Sequence, residues 1–140
     1  MRMLHLGLRV TDLERSLAFY TALGYVELGR VPATAFGSLT MLKLPDDPFA
    51  SLELVHDPAR PVTDTVAVNH LVVQTDDLDA TIAGLAARGV TAEPPEELGP
   101  GLRTSWLTDP DGYRIELVQW PDGHPAGMTV ADFEQDDATA

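Results

Sequence analysis

Four side chains combine metal-binding chemistry with regular spacing: His5, Glu53, His70 and Glu116. The spacing from His5 to His70 is an internal repeat. Leu13, Leu17, Tyr20 and Gly24 return at that same spacing as Leu78, Ile82, Leu85 and Gly89. Leu52-Glu53-Leu54-Val55 returns in the second half as Ile115-Glu116-Leu117-Val118, at a slightly shorter spacing. Two imidazoles and two carboxylates at repeat-related positions are what a pseudo-twofold divalent-metal site needs. Imidazole suits zinc, copper, iron and nickel, and carboxylate adds negative charge and hard oxygen donors. An ion held by all four would keep two open positions. Two adjacent substrate oxygens could chelate there, and the ion would act as a Lewis acid. Six-coordination suits nickel or cobalt at least as well as zinc, which prefers four ligands.

A lone inward histidine is more often structural than a ligand, so the elements carrying these residues decide the matter. Met3 to Val10 alternates, with Leu4, Leu6, Leu8 and Val10 on one face and Met3, His5, Gly7 and Arg9 on the other, which predicts a half-buried strand. Thr11-Asp12-Leu13-Glu14 has the capping-box pattern and opens a helix from about Asp12 to Leu23, ended by Gly24. Strands are expected over Tyr25–Val31, Phe36–Leu44 and Ala50–His56. On the last of these, Glu53 and Val55 face away from Leu52 and Leu54, and His56 lies on the opposite face from Glu53. The stretch Asp57 to Asp64, with Pro58 and Pro61, reads as a linker.

The order then repeats. A strand is expected over Val66–Thr75, a helix over Asp76–Arg88, a short strand over Val90–Ala92, a loop from Glu93 to Gly101, and strands over Leu102–Leu107 and Tyr113–Trp120. Strand-helix-strand-strand-strand, twice, is an α+β chain: two paired βαβββ modules forming a cupped mixed sheet with helices on the outer face. Module 1 covers residues 1–57 and module 2 residues 65–120, together one domain, followed by an acidic tail at 121–140 with five acids and no Lys or Arg. The tail reads as mobile or loosely docked, with His124 solvated. Trp106 and Trp120 read as packing or interface residues.

The chain has 140 residues and a net charge of −13. That balance argues against nucleic acid and against an anionic membrane surface, since both need basic patches. There is no cysteine, which removes disulfides, thiolate ligands and a cysteine nucleophile. Arg9 interrupts the first apolar run and no cleavage site follows, so no signal peptide is expected. No apolar run approaches the length of a membrane span. Cytoplasm is the default expectation. Arg9 and Arg114 share faces with the candidate ligands. They either bind a substrate anion or neutralise the carboxylates. Arg103, on the penultimate strand, is a further candidate for substrate binding.

On these residues the chain resembles the vicinal oxygen chelate superfamily, the glyoxalase, bleomycin-resistance and extradiol-dioxygenase group. The resemblance covers about Met1 to Trp120 and is closest to the glyoxalase I branch. It is carried by the opening MRMLHLGLRVTDLERSLAFYTALG, by DPDGYRIEL in the last strand, and by the family's His-Glu-His-Glu set falling on His5, Glu53, His70 and Glu116. The resemblance implies one divalent metal per site (nickel, cobalt or zinc) and a low-molecular-weight thiol as co-substrate. It implies a detoxifying lyase or isomerase that converts a 2-oxoaldehyde hemithioacetal to a 2-hydroxyacyl thioester through a metal-bound ene-diolate. Glu116 is then the expected base and Glu53 the acid that returns the proton. It also implies a homodimer with its sites at the interface, acting on a small molecule.

Two segments depart from the glyoxalase I pattern. Val55-His56-Asp57-Pro58 stands where the branch has an Asn-Trp segment, and Leu98-Gly99-Pro100-Gly101 stands where it has a Lys-Gly-Gly loop resembling a glutathione clamp. Arg9 is kept. A metal-free protein that binds a small molecule such as an antibiotic, and an extradiol dioxygenase, are the alternatives from the same superfamily.

Overall fold

A computed structural model describes residues 1–134. Its elements run β1 (Leu6–Val10), α1 (Leu13–Leu23), β2 (Val26–Thr34), β3 (Gly37–Lys43) and β4 (Leu52–His56) in the first half. The second half has β5 (Leu71–Gln74), α2 (Leu78–Ala87), β6 (Glu96–Gly99), β7 (Leu102–Thr108) and β8 (Arg114–Gln119), with a short α3 (Ala131–Glu134) in the tail. Two four-stranded mixed sheets result, ordered β1-β4-β3-β2 and β5-β8-β7-β6. In each, the outer pair is parallel (β1 with β4, β5 with β8) and the remaining pairs are antiparallel. This is the α+β fold of paired βαβββ units that the repeat predicts.

Alternation builds the core. Leu8 and Val10 of β1, Leu52 and Leu54 of β4, and Ile115 and Leu117 of β8 are buried, as are Leu17 and Tyr20 of α1 and Leu78 and Leu85 of α2, and all belong to one cluster shared by both halves. β1, β4 and β8 each place alternate residues in this core, with the complementary set facing away, whereas β2 and β6 are exposed edge strands.

Side chains and main chain also fasten the halves together. The Tyr20 hydroxyl donates to Asp109 Oδ2 at 2.8 Å, while the backbone N–H groups of Asp111 and Tyr113 each donate to Asp109 Oδ1 at 2.9 Å. The Tyr113 hydroxyl donates back to Arg9 O at 2.9 Å, and Arg88 Nε donates to Ala22 O at 2.9 Å. Burial pushes the Asp109 carboxyl above its ordinary range, and burial followed by the nearby Asp109 charge pushes Tyr20 far up. Tyr20→Phe leaves a buried carboxylate oxygen without its hydroxyl donor. It is expected to lower stability by about 1–3 kcal/mol, read in urea as a lower midpoint with an unchanged slope. An unchanged midpoint would mean that the two backbone donors suffice.

Several elements differ from the sequence expectation. The N-cap of α1 is Asp12, whose side chain accepts from Arg15 N at 3.0 Å. Thr11 instead accepts from Val62 N through its hydroxyl at 2.9 Å, so the N-cap falls one residue later and the expected Thr11–Glu14 capping box does not form. No strand forms at 90–92. The extra strand is β6, inside the stretch expected to be a loop, and it starts just after Pro94-Pro95. It lies at a sheet edge with Glu96, Glu97 and Leu98 all exposed, so no burial imposes a period of two on its sequence. β1 and β5 begin later than expected, and His5 and His70 each fall one residue before them. A turn at Thr65–Val68, closed by Val68 N donating to Thr65 O at 3.0 Å, takes up the start of the expected fifth strand.

The described part of the tail is anchored at His124, while Met128, Val130 and Phe133 stay exposed. The His124 ring stacks on Trp120 at 4.5 Å, and its Nε2 lies 2.6 Å from Asp132 Oδ1. The expectation of a solvated His124 is corrected: the Asp132 carboxylate raises the imidazole pKa, and that hydrogen bond lowers Asp132 to about 2. Residues 135–140 of the expected tail lie outside the described residues. No described helix is long and apolar enough to cross a membrane.

Candidate metal centre

Glu53 and Glu116 are placed by strand parity. Glu53 pairs with Gly7 across the parallel β1–β4 ladder and with Met41 across β3–β4, on the face opposite Leu52 and Leu54. Glu116 pairs with Val72 of β5 and Trp106 of β7, opposite Ile115 and Leu117. The histidines sit at the mouths of the parallel outer strands. His5 Nε2 lies 3.3 Å from Glu53 Oε2, and His70 Nε2 lies 3.6 Å from Glu116 Oε2. All four side chains keep some solvent access, at 32% and 14% for the first pair and 34% and 16% for the second. Each half therefore presents one nitrogen and one oxygen donor, both reachable from outside.

Among the described residues, no three His, Asp or Glu side chains come together as a cation-binding group. The chain makes two separate His–Glu pairs, and the four expected ligands do not meet within one chain. The donor chemistry fits a divalent ion: in each pair an imidazole nitrogen and a carboxylate oxygen lie 3.3 and 3.6 Å apart, a separation that two neighbouring donors each about 2.1 Å from one ion can span. At Gly7 an added Cβ would stand 3.4 Å from Glu53 Oε1, so the bare backbone lets that carboxylate lie over β1.

The arginines separate by face. Arg9 is half-buried on the Glu53 face, opposite Val55 in register, with Nη1 3.5 Å from Phe36 O. Arg114 is on the Glu116 face but already engaged: it donates to Glu93 Oε1 at 2.5 Å and Thr108 Oγ1 at 2.9 Å, and its guanidinium lies over the Trp106 ring at 5.1 Å. Its hydrogen bond holds the Glu93 carboxyl below the usual range. Arg103 is left out of the site. It pairs with Gln119, on the same face of β7 as Ser105 and Leu107, and forks onto Asp79 of α2 at 2.8 and 2.9 Å. Trp106 packs edge-to-face on His70 at 5.2 Å, a position beside the candidate ligands that the packing expectation for this residue did not specify.

Two residues beside the site escaped the sequence reading. Thr104 donates to Glu116 Oε1 at 2.8 Å, and Asn69 Oδ1 lies 2.6 Å from His70 Nδ1. Asn69 adjoins a candidate ligand and could have been weighed for that reason. Thr104 becomes visible only once the β7–β8 register is known.

Residues 2–117 match the family model of the Glyoxalase/Bleomycin resistance protein/Dioxygenase superfamily. A probable lactoylglutathione lyase of Vibrio cholerae serotype O1 is 33% identical, with 91% of this chain and 96% of that protein covered. The chain spans 44% of the length of a lactoylglutathione lyase of Arabidopsis thaliana, at 30% identity and 84% of this chain. Among solved structures, the trypanothione-dependent glyoxalase I of Leishmania major superposes with a TM-score of 0.71 at 27% identity, covering 99% of this chain and 94% of its own. TnmS3, an antibiotic binding protein from Streptomyces sp. CB03234, superposes with a TM-score of 0.67 at 28% identity, covering 85% and 96%.

Proposed function

The chain belongs to the glyoxalase/bleomycin resistance protein/dioxygenase superfamily, and from that premise we propose that it is a divalent-metal-dependent lyase of the glyoxalase I type. In this reading it converts the hemithioacetal of a 2-oxoaldehyde and a low-molecular-weight thiol to a 2-hydroxyacyl thioester. The observation that carries the reading is the pair of His–Glu half-sites at repeat-related places, on faces turned away from the core. The two halves are fastened through their core-side contacts, so we assign the complete site to a homodimer, with His5 and Glu53 from one chain and His70 and Glu116 from the other.

Those four residues would hold nickel, cobalt or zinc, which supplies Lewis-acid stabilisation of negative charge on the substrate oxygens. The rest of the chemistry belongs to the chain. Glu116 takes the proton from the carbon that carries sulfur, and Glu53 returns a proton to the neighbouring carbon. Arg114 is already satisfied by Glu93 and Thr108, so of the two guanidiniums on these faces Arg9 is the one assigned to a carboxylate of the thiol. The antibiotic-binding reading has its own support in the TnmS3 likeness and in the Leu98-Gly99-Pro100-Gly101 hairpin, which lacks a lysine.

Two measurements test the proposal. Hemithioacetals made from several thiols, glutathione among them, are offered to protein loaded with nickel, cobalt or zinc, and thioester formation is followed. Turnover with at least one is expected, and none with metal bound moves the assignment to the binding protein. Chain sharing is tested by mixing. His5→Ala and His70→Ala chains, each inactive alone, are unfolded together and refolded. A mixed dimer joins one intact first half to one intact second half, so activity is expected to reappear. If each chain closed its own site, mixing would restore nothing.

A further inference from the structure

We propose that the two half-sites are unequal, and that Asn69 and Thr104 are positioning residues that make His70–Glu116 the half that captures the metal. This inference rests on the metal-dependent reading above. The backbone of the two halves repeats, but the support given to the ligands does not. His70 Nδ1 lies 2.6 Å from Asn69 Oδ1, and an amide oxygen can only accept. In the neutral ring this contact places the proton on Nδ1 and leaves the lone pair of Nε2, on the Glu116 side of the ring, for a metal. Ligating histidines are oriented by such a partner on the far nitrogen.

Glu116 is held in a comparable way. Thr104, 2% exposed, donates its hydroxyl to Glu116 Oε1 at 2.8 Å. Its oxygen also lies 3.1 Å from Leu117 O. A hydroxyl carries one proton and can serve only one of the two acceptors at a time. When Glu116 turns, the hydroxyl can pass to Leu117 O, and no buried donor is left unpaired. Trp106 packs against the side of the His70 ring.

The first half has different residues in the equivalent places. Leu4 precedes His5 as Asn69 precedes His70. Met41 pairs with Glu53 as Trp106 pairs with Glu116, and Leu39 pairs with Val55 as Thr104 pairs with Val118. None of Leu4, Leu39 and Met41 can give His5 or Glu53 a strong hydrogen bond. The first pair has its mutual contact at 3.3 Å and the space over Gly7. One half is thus set before the ion arrives, and the other must be ordered by it. A preorganised pair loses less freedom on binding.

The test titrates nickel into the metal-free full chain by calorimetry, with dimer mass and thermal melting recorded for every variant. Asn69→Leu and Thr104→Val are each expected to weaken nickel binding by about 10–100-fold. Asn69→Asp keeps an acceptor and Thr104→Ser keeps the hydroxyl, so both should bind nickel close to the parent value. The mirror changes Leu4→Ala and Leu39→Val remove no hydrogen bond and should also stay near it. Equal losses at the mirror positions, or no loss in Asn69→Leu and Thr104→Val, overturn the inference. If Thr104→Val fails to fold, Asn69→Leu, at an exposed position, decides alone. A parent chain that binds nickel while all variants match it refutes this inference only. A parent that takes up no divalent metal refutes the metal-dependent function and this inference with it.

Discussion

Glu116→Gln is expected to keep its metal and to lose about 10²–10⁴-fold in turnover, the usual cost of removing a general base. The amide oxygen can still donate to an ion from the His70 side, while the amide N–H donates to Thr104 Oγ1, whose own proton can pass to Leu117 O at 3.1 Å. What the amide cannot do is accept a proton at neutral pH. Metal content and thioester formation, measured on the same preparation, separate the two roles. Glu53→Gln is the comparison, because it removes the repeat-related carboxylate on the other half. A loss as large as that of Glu116→Gln would mean that the two carboxylates share the proton transfers. Full turnover in Glu116→Gln with metal still bound would end its assignment as base.

The second large effect concerns the ion itself. His5→Ala and His70→Ala are each expected to reduce bound divalent metal to near background in protein purified without chelators. Each removes one of four donors and leaves its carboxylate partner, 3.3 or 3.6 Å away, without a nitrogen to share the ion. Both variants should melt near the temperature of the metal-free parent, because neither imidazole belongs to the buried cluster. Elemental analysis showing unchanged stoichiometry in both would exclude a site built on these residues. A melting temperature far below that of the metal-free parent would show that the histidines serve the fold.

The strands carrying Glu53 and Glu116 were legible because their alternation is clean: Leu52 and Leu54, or Ile115 and Leu117, against a single acid between them. β7 is the opposite case. Leu102-Arg103-Thr104-Ser105-Trp106-Leu107-Thr108 does not alternate by polarity, since its buried face includes Ser105, satisfied by donating to Glu93 O at 2.6 Å, and its ligand-bearing face includes Trp106. Arg103 therefore looked available to substrate, whereas pairing with β8 and the fork onto Asp79 put it on the α2 side. Thr104 was hidden for the same reason. β6 was hidden because exposure on both faces removes any pattern. The helix ends were legible to within two residues, and Asp12 rather than Thr11 caps α1, since the Thr11 hydroxyl is occupied by Val62 N. The separation of the two His–Glu pairs within one chain depends on contacts between segments distant in sequence, such as Tyr20 with Asp109, which no local pattern encodes.

Strand parity also divides the sequence into two sets that can drift independently. In β4 and β8 every second residue belongs to the core, and the acids between them, Glu53 and Glu116, face the open side. Substitutions in the first set are constrained by packing, whatever the chain binds. Substitutions in the second can add or erase a ligand while the scaffold stands. A lineage built this way can exchange one chemistry for another through a few changes at alternate positions, without passing through an unfolded ancestor. That one architecture is shared by a glyoxalase I and an antibiotic-binding protein, both superposing on this chain, is what such a partition would produce.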